Sequence, residues 1–197
     1  MSSRKKRKVE HLVIPKRNAR ITPEKTAQIW IERQEDQEEF KIIYVNAVKG
    51  YGVFATKEFK KGDFLLEYVG ETIDEEEAVA RENKYAMRQK NAKYPRCYTF
   101  YHKHNGRHFC IDATNTTGRA GSLVNDGILM KHFNCKIRKI IINGKVHLAL
   151  FATRQITRGS EILYDYGEDD LWWRKSCGND VNLETSGKGF DALLFMH

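Results

Sequence analysis

Two short stretches of the chain gather residues that chemistry could use: Lys49-Gly50-Tyr51-Gly52, and Glu161-Ile162-Leu163-Tyr164-Asp165-Tyr166. Two glycines one residue apart make a tight turn, but neither the helix nor the third glycine of a dinucleotide-binding fingerprint follows, which argues against a nucleotide phosphate site. Tyrosines at alternate positions of a strand are, taken alone, core packing. A phenol can nevertheless orient a nitrogen lone pair while carrying no charge. Asn125, read alone, is a turn residue. Asp112 reads as an exposed carboxylate near a strand end, either a partner for a basic peptide or a turn former. The four cysteines, Cys97, Cys110, Cys135 and Cys177, show no C-x-x-C or close Cys/His spacing, so they read as reduced thiols with no zinc site.

The elements that must position these residues are mostly strands. Short β-branched and aromatic runs lie at 41–46, 52–56, 64–69, 97–101 and 107–112. Gly50, Gly52 and the Lys61-Gly62-Asp63 break supply turns. Residues 137–142 and 145–152 flank Asn143-Gly144, whose positive-φ preference predicts a type I′ hairpin. One helix is predicted from about Asp74, an N-cap followed by Glu75-Glu76-Glu77, to about Lys90. An earlier charged helix should run from Pro23 to Glu38, started by Thr22 and packed at the domain edge through Ala27, Trp30 and Ile31.

At 197 residues and 41% hydrophobic content, the chain suffices for one compact domain. Its formal charge of +8 favours polyanions and nucleoprotein over acidic partners. No stretch approaches the roughly 20 apolar residues of a membrane span, and Met1 to Glu10 lacks an apolar run, so the expectation is an intracellular protein. Arg4-Lys5-Lys6-Arg7-Lys8-Val9 reads either as a nuclear import signal or as an arm touching DNA phosphates.

An ordered set of segments then narrows the choice. It comprises Lys49 to Thr56, Gly62-Asp63 leading to Glu67-Tyr68-Val69-Gly70-Glu71, Cys110-Ile111-Asp112-Ala113-Thr114, Leu123-Val124-Asn125, and Gly159 to Gly167. Together these resemble the SET domain of lysine methyltransferases. Cys97-Tyr98, Val146-His147-Leu148 and Leu163-Tyr164-Asp165-Tyr166-Gly167 are similar to the members that add one methyl group to a lysine of the histone H4 tail.

The resemblance implies a mainly β fold of several small sheets with short helices, closed by a C-terminal pseudoknot. It divides the chain into a basic disordered tail at 1–21, a flanking helical segment at 22–40, the SET domain at 41–167 and a C-terminal tail at 168–197. It implies S-adenosyl-L-methionine as cofactor, contacted by Lys49, Gly50, Tyr51, Tyr98, Asn125 and Asp126. It implies Tyr166 at the point of methyl transfer, Tyr68 lining the lysine channel, and Tyr164 filling the space a second methyl would need. Cys110, Asp112 and Tyr101 would belong to the peptide groove, where an added strand could hold an extended tail. The implied partner is a histone H4 tail or nucleosome, met by a monomer in the nucleus, with non-specific DNA contact through the basic arm.

The pattern breaks where family members follow the asparagine with histidine: this chain reads Asn125-Asp126-Gly127. Arg119-Ala120-Gly121-Ser122 lacks the arginine expected just before the apolar pair, and Tyr51 stands where a basic residue is common. These departures leave open an active enzyme, a catalytically weak or inactive fold that binds histone tails, and a basic nucleosome- or DNA-binding protein.

Overall fold

The computed structural model describes residues 21–92, 96–115, 118–127 and 129–167. The basic arm, Trp172, Trp173 and Cys177 lie outside them. Helix α1 (Pro23–Arg33) opens with the Thr22 hydroxyl accepting the Lys25 N–H at 3.2 Å. It ends sooner than predicted because Gln34 turns left-handed, at φ 58°, and closes its N–H on the last carbonyls. Gln37 then spends its side-chain amide on the Phe64 and Leu65 carbonyls, at 3.0 and 2.8 Å. Ala27 and Ile31 bury the helix's narrow apolar side against Phe64 and Phe151.

Among the described residues, ten strands follow in four small sheets. β1 (Phe40–Asn46) and β2 (Gly50–Ala55) form an antiparallel pair. β3 (Phe64–Tyr68), β8 (Cys135–Ile142) and β9 (Lys145–Ala152) form a sheet ordered β3-β9-β8. The β8–β9 turn is the one predicted, with Asn143 at φ 51° and Gly144 at φ 76°. β4 (Glu71–Asp74), β5 (Thr99–His104) and β6 (Arg107–Asp112) form the third sheet, ordered β4-β6-β5. Helix α2 (Glu75–Arg88) packs on this sheet, its N-cap Asp74 accepting the Glu77 N–H at 2.9 Å. β5 starts two residues later than predicted because the Tyr98 N–H goes to the Thr114 hydroxyl at 3.0 Å instead of into the ladder.

The fourth sheet is the short parallel pair β7 (Asn125–Asp126) and β10 (Leu163–Tyr164), with Leu163 opposite Asn125 and Tyr164 opposite Asp126. Asn134 clasps β10 from the other side: its amide donates to the Glu161 carbonyl at 2.7 Å and accepts the Leu163 N–H at 2.9 Å. The main core, including Leu65, Leu66, Leu150, Ile156 and Ile162, lies directly beneath. The observed architecture is thus mainly β, in several small sheets, with the C-terminal strand brought beside the asparagine segment.

Candidate active site

β10 presents Tyr164 to the interior, and Tyr166 follows with its ring 4.7 Å from that of Tyr164. Tyr68, the last residue of β3, is buried opposite Leu148 and lies 5.8 Å from the Phe100 ring. Tyr98 packs against the same Tyr68 cluster. Burial raises the Tyr68 hydroxyl pKa well above the ordinary phenol value, with Tyr166 adding to the effect. Burial does the same to Tyr164, reinforced by Tyr166 and Tyr68. Tyr166 is raised first by burial and then by the Asp126 carboxylate. Each hydroxyl therefore keeps its proton, and the cluster is polar without a phenolate.

The hydroxyls differ in their partners. Tyr166 donates to the Val124 carbonyl at 3.1 Å. Tyr68 and Tyr164 hydrogen-bond no described residue through their hydroxyls, yet neither oxygen is sealed as the His102 ring nitrogens are. Both hydroxyls are therefore left to solvent or to a polar atom from outside the fold.

A second group lies where β2 meets β7. Glu161 accepts from the Lys49 ammonium at 3.1 Å and from the Asn125 amide at 2.9 Å. Asn125 also donates to the Tyr51 carbonyl at 3.1 Å. Both amide hydrogens are then spent, and the Asn125 Oδ1 remains as an acceptor. Gly52 must lack a side chain here, since a Cβ would stand 2.6 Å from the Glu161 carboxylate. Gly50, at φ +72°, has the Arg96 guanidinium laid against the face where its Cβ would be. Tyr51 contributes backbone only on this side, because its exposed ring packs edge-on against Tyr44 at 5.6 Å. Asp126 is buried in β7 and its Oδ1 accepts the Tyr166 N–H at 3.3 Å.

The expected peptide-groove residues need correction. Asp112 is no exposed carboxylate: it is buried, and accepts from Tyr85 at 2.7 Å, Arg81 at 3.2 Å and the Thr114 N–H at 2.9 Å. Burial opposes its ionisation, but these hydrogen bonds outweigh that and hold it below the usual carboxylate range. Cys110 faces Ile73 and Ala78 and is fully buried, its thiol pushed up to about 12 by burial. β6 is moreover the central strand of its sheet, with both backbone edges used, so an added strand cannot pair with it. β5 forms one edge of that sheet and carries Tyr101, which is exposed.

Sequence reasoning missed the residues that hold the site rather than face it. Asn134 is one, and Glu161, although inside the closing segment, was given no role. A third group is ionic: Arg119 bridges Asp36 at 2.8 Å and Glu67 at 3.1 Å, and Glu67 also meets His147 at 2.6 Å. Polar residues at single positions, far apart in the chain, give no periodic signal.

Comparison with known proteins bears on the family and the fold. A family model described as SET domain matches residues 50–167, more than half of the chain. The N-lysine methyltransferase KMT5A of Xenopus tropicalis is 42% identical over 120 residues, covering 61% of this chain and 34% of that protein. The histone-lysine N-methyltransferase Set8 of Drosophila melanogaster is 41% identical over 120 residues, covering 61% of this chain and 16% of that protein. The crystal structure of CpSET8 from Cryptosporidium matches with a TM-score of 0.60 at 32% identity, over 72% of this chain and 62% of that one. The chain therefore spans about a third or less of the length of these two curated relatives.

Proposed function

The chain belongs to the SET-domain family, and from that premise we propose that it is a protein-lysine N-methyltransferase that uses S-adenosyl-L-methionine and adds one methyl group to a lysine of the histone H4 tail. The observation that carries this reading is the tyrosine cluster, protonated throughout, with the Tyr68 and Tyr164 hydroxyls open to a ligand. When bound, the cofactor supplies a methyl group on a sulfonium, a leaving group suited to in-line displacement by an amine.

The residues present fit that cofactor. Asn125 offers an unspent amide oxygen to an ammonium group, and Tyr98 stands beside the tyrosine cluster. Lys49 serves this edge through Glu161, which neutralises it. Tyr51 acts through its carbonyl, which fixes Asn125. Asp126 acts through the Tyr166 backbone it holds.

The chain's own share of the chemistry is desolvation and alignment. A lysine entering between buried aromatic rings loses water, which disfavours its ammonium form and lowers its pKa from the ordinary value near 10.4. Neutral phenols accept or donate to the amine without supplying a negative charge that would keep the proton in place. Tyr166 orients the nitrogen at the point of transfer, Tyr68 lines the channel, and Tyr164 occupies the volume a methylated amine would need. The histone tail lies along the β5 edge beside Tyr101, as an added strand. The basic run at 4–9 directs the protein to the nucleus, and chromatin is where it works.

Mass spectrometry of recombinant nucleosomes and free histone H4, incubated with the protein and S-adenosyl-L-methionine, tests the reading. A single added methyl supports it. Product from an Asp126→His variant alone would make the native chain a histone-tail binder that kept the fold and lost the reaction.

A further inference from the structure

One charged group at the cofactor edge is used by neither the tyrosine cluster nor the Asn125–Glu161–Lys49 clasp. Arg96 is pinned by its backbone: its N–H donates to the Gln89 side chain at 2.7 Å, and its carbonyl accepts from the same amide at 2.8 Å. Its guanidinium turns its NH1/NH2 edge to Gly50, with NH1, CZ and NH2 at 1.8, 2.4 and 2.4 Å from where a Cβ would stand. Among the described residues that half-buried guanidinium makes no ion pair and no hydrogen bond. Its cationic neighbour Lys49 is already neutralised by Glu161. Position 51, where a basic side chain is common in the family, holds a tyrosine whose ring turns away to Tyr44.

We propose that Arg96 binds the carboxylate of the cofactor's amino-acid end, while the Asn125 Oδ1 takes its ammonium. The inference rests on the methyltransferase reading and adds to it a binding residue from the loop after α2. An unpaired guanidinium beside a glycine backbone is a complementary fork for a carboxylate. Gly50 is required because any side chain there would displace the fork.

Calorimetric titration, without peptide, of S-adenosyl-L-methionine and its decarboxylated form separates the possibilities. The parent should bind the carboxylated ligand at least about tenfold more tightly, the scale of a charge-assisted hydrogen bond. Arg96→Gln should bind both alike, within about twofold, by losing affinity only for the carboxylated one. A parent that binds the two equally overturns the proposal whatever the variant does. So does an Arg96→Gln variant that keeps the parent's preference. A parent that binds neither ligand removes the methyltransferase reading itself.

Discussion

Replacing Arg119 by methionine would remove a guanidinium that joins the segment after α1 to the strand carrying Tyr68. Arg119 donates from Nε to Asp36 at 2.8 Å and from NH2 to Glu67 at 3.1 Å. All three side chains are largely buried, at 12%, 17% and 8% exposure. Methionine fills much of the volume but leaves two enclosed carboxylates without the guanidinium, Asp36 with the Ala120 N–H and Glu67 with His147 as the partners that remain. Breaking a buried pair in this way costs about 3–5 kcal/mol, because the remaining charge is uncompensated. At roughly 2–4 °C per kcal/mol for a chain of this size, the melting temperature should fall by about 10 °C. Removing the charges along with their partner should reverse most of the loss, so Arg119→Met with Asp36→Asn and Glu67→Gln should recover ~2 kcal/mol or more. Urea unfolding followed by tryptophan fluorescence reads both values. Cofactor affinity should fall in the single variant as well, since Asp36 also fixes the Ala120 N–H at 2.6 Å, five residues before Asn125. A single-variant cost below ~1 kcal/mol would show that water reaches these carboxylates, and the reasoning would fail.

Tyr166→Phe should lower turnover on the order of 100-fold while leaving cofactor affinity within about twofold, because the hydroxyl aligns the amine and contributes little to ligand binding. Tyr164→Phe should let dimethyl-lysine appear in the mass spectrum; a product that stops at one methyl would place the limit elsewhere in the channel. Asp126→Asn keeps an acceptor for the Tyr166 N–H but removes a charge that favours protonated forms nearby, so the rise of rate with pH, set by loss of the lysine's proton, should move to lower pH; an unmoved profile would mean that Asp126 does not act on the site's electrostatics. The pKa of His102 is lowered, by burial first and then by Lys139 and His104, so the folded state holds its proton less readily than the unfolded chain. Its contribution is therefore fully present above about pH 6.5 and declines as pH falls towards the lowered folded value. His102→Phe, which also removes two ring nitrogens without partners, should raise stability by about 1 kcal/mol and flatten the loss between pH 7 and pH 5 in urea titrations.

The β-rich fold was legible because its signals are local. Asn143-Gly144 requires positive φ at both positions and adopts it, and Asp74 followed by three glutamates starts a helix where it should. The end of α1 was not legible, because Gln34 to Glu38 are acceptable helix residues until Gln37 finds two carbonyls of β3, 27 and 28 positions away. Asp112 was misread for a similar reason. At a strand end the alternation leaves its direction open, and the arginine and tyrosine that draw it inward sit on α2, 31 and 27 residues earlier. The tyrosines became legible only through the order of the family motifs, since their alternation alone is ordinary core packing.

Asp126 shows how a departure from the family pattern can leave the fold standing. The β7–β10 junction does not depend on that side chain alone. The Gly127 N–H reaches the Tyr164 carbonyl at 3.1 Å, and Asn134 holds Leu163 and Glu161 from the opposite side. Asp126 adds an acceptor for the Tyr166 N–H, a place an imidazole could fill only through an unprotonated nitrogen. The structural consequence of the exchange is therefore small, and the electrostatic one is not. A buried carboxylate next to Tyr166 stabilises protonated groups around it, and in the proposed reaction the lysine would lose a proton there. The same charge that keeps the phenol neutral works against the neutral amine, so the exchange acts on the rate and its pH dependence rather than on whether the site forms.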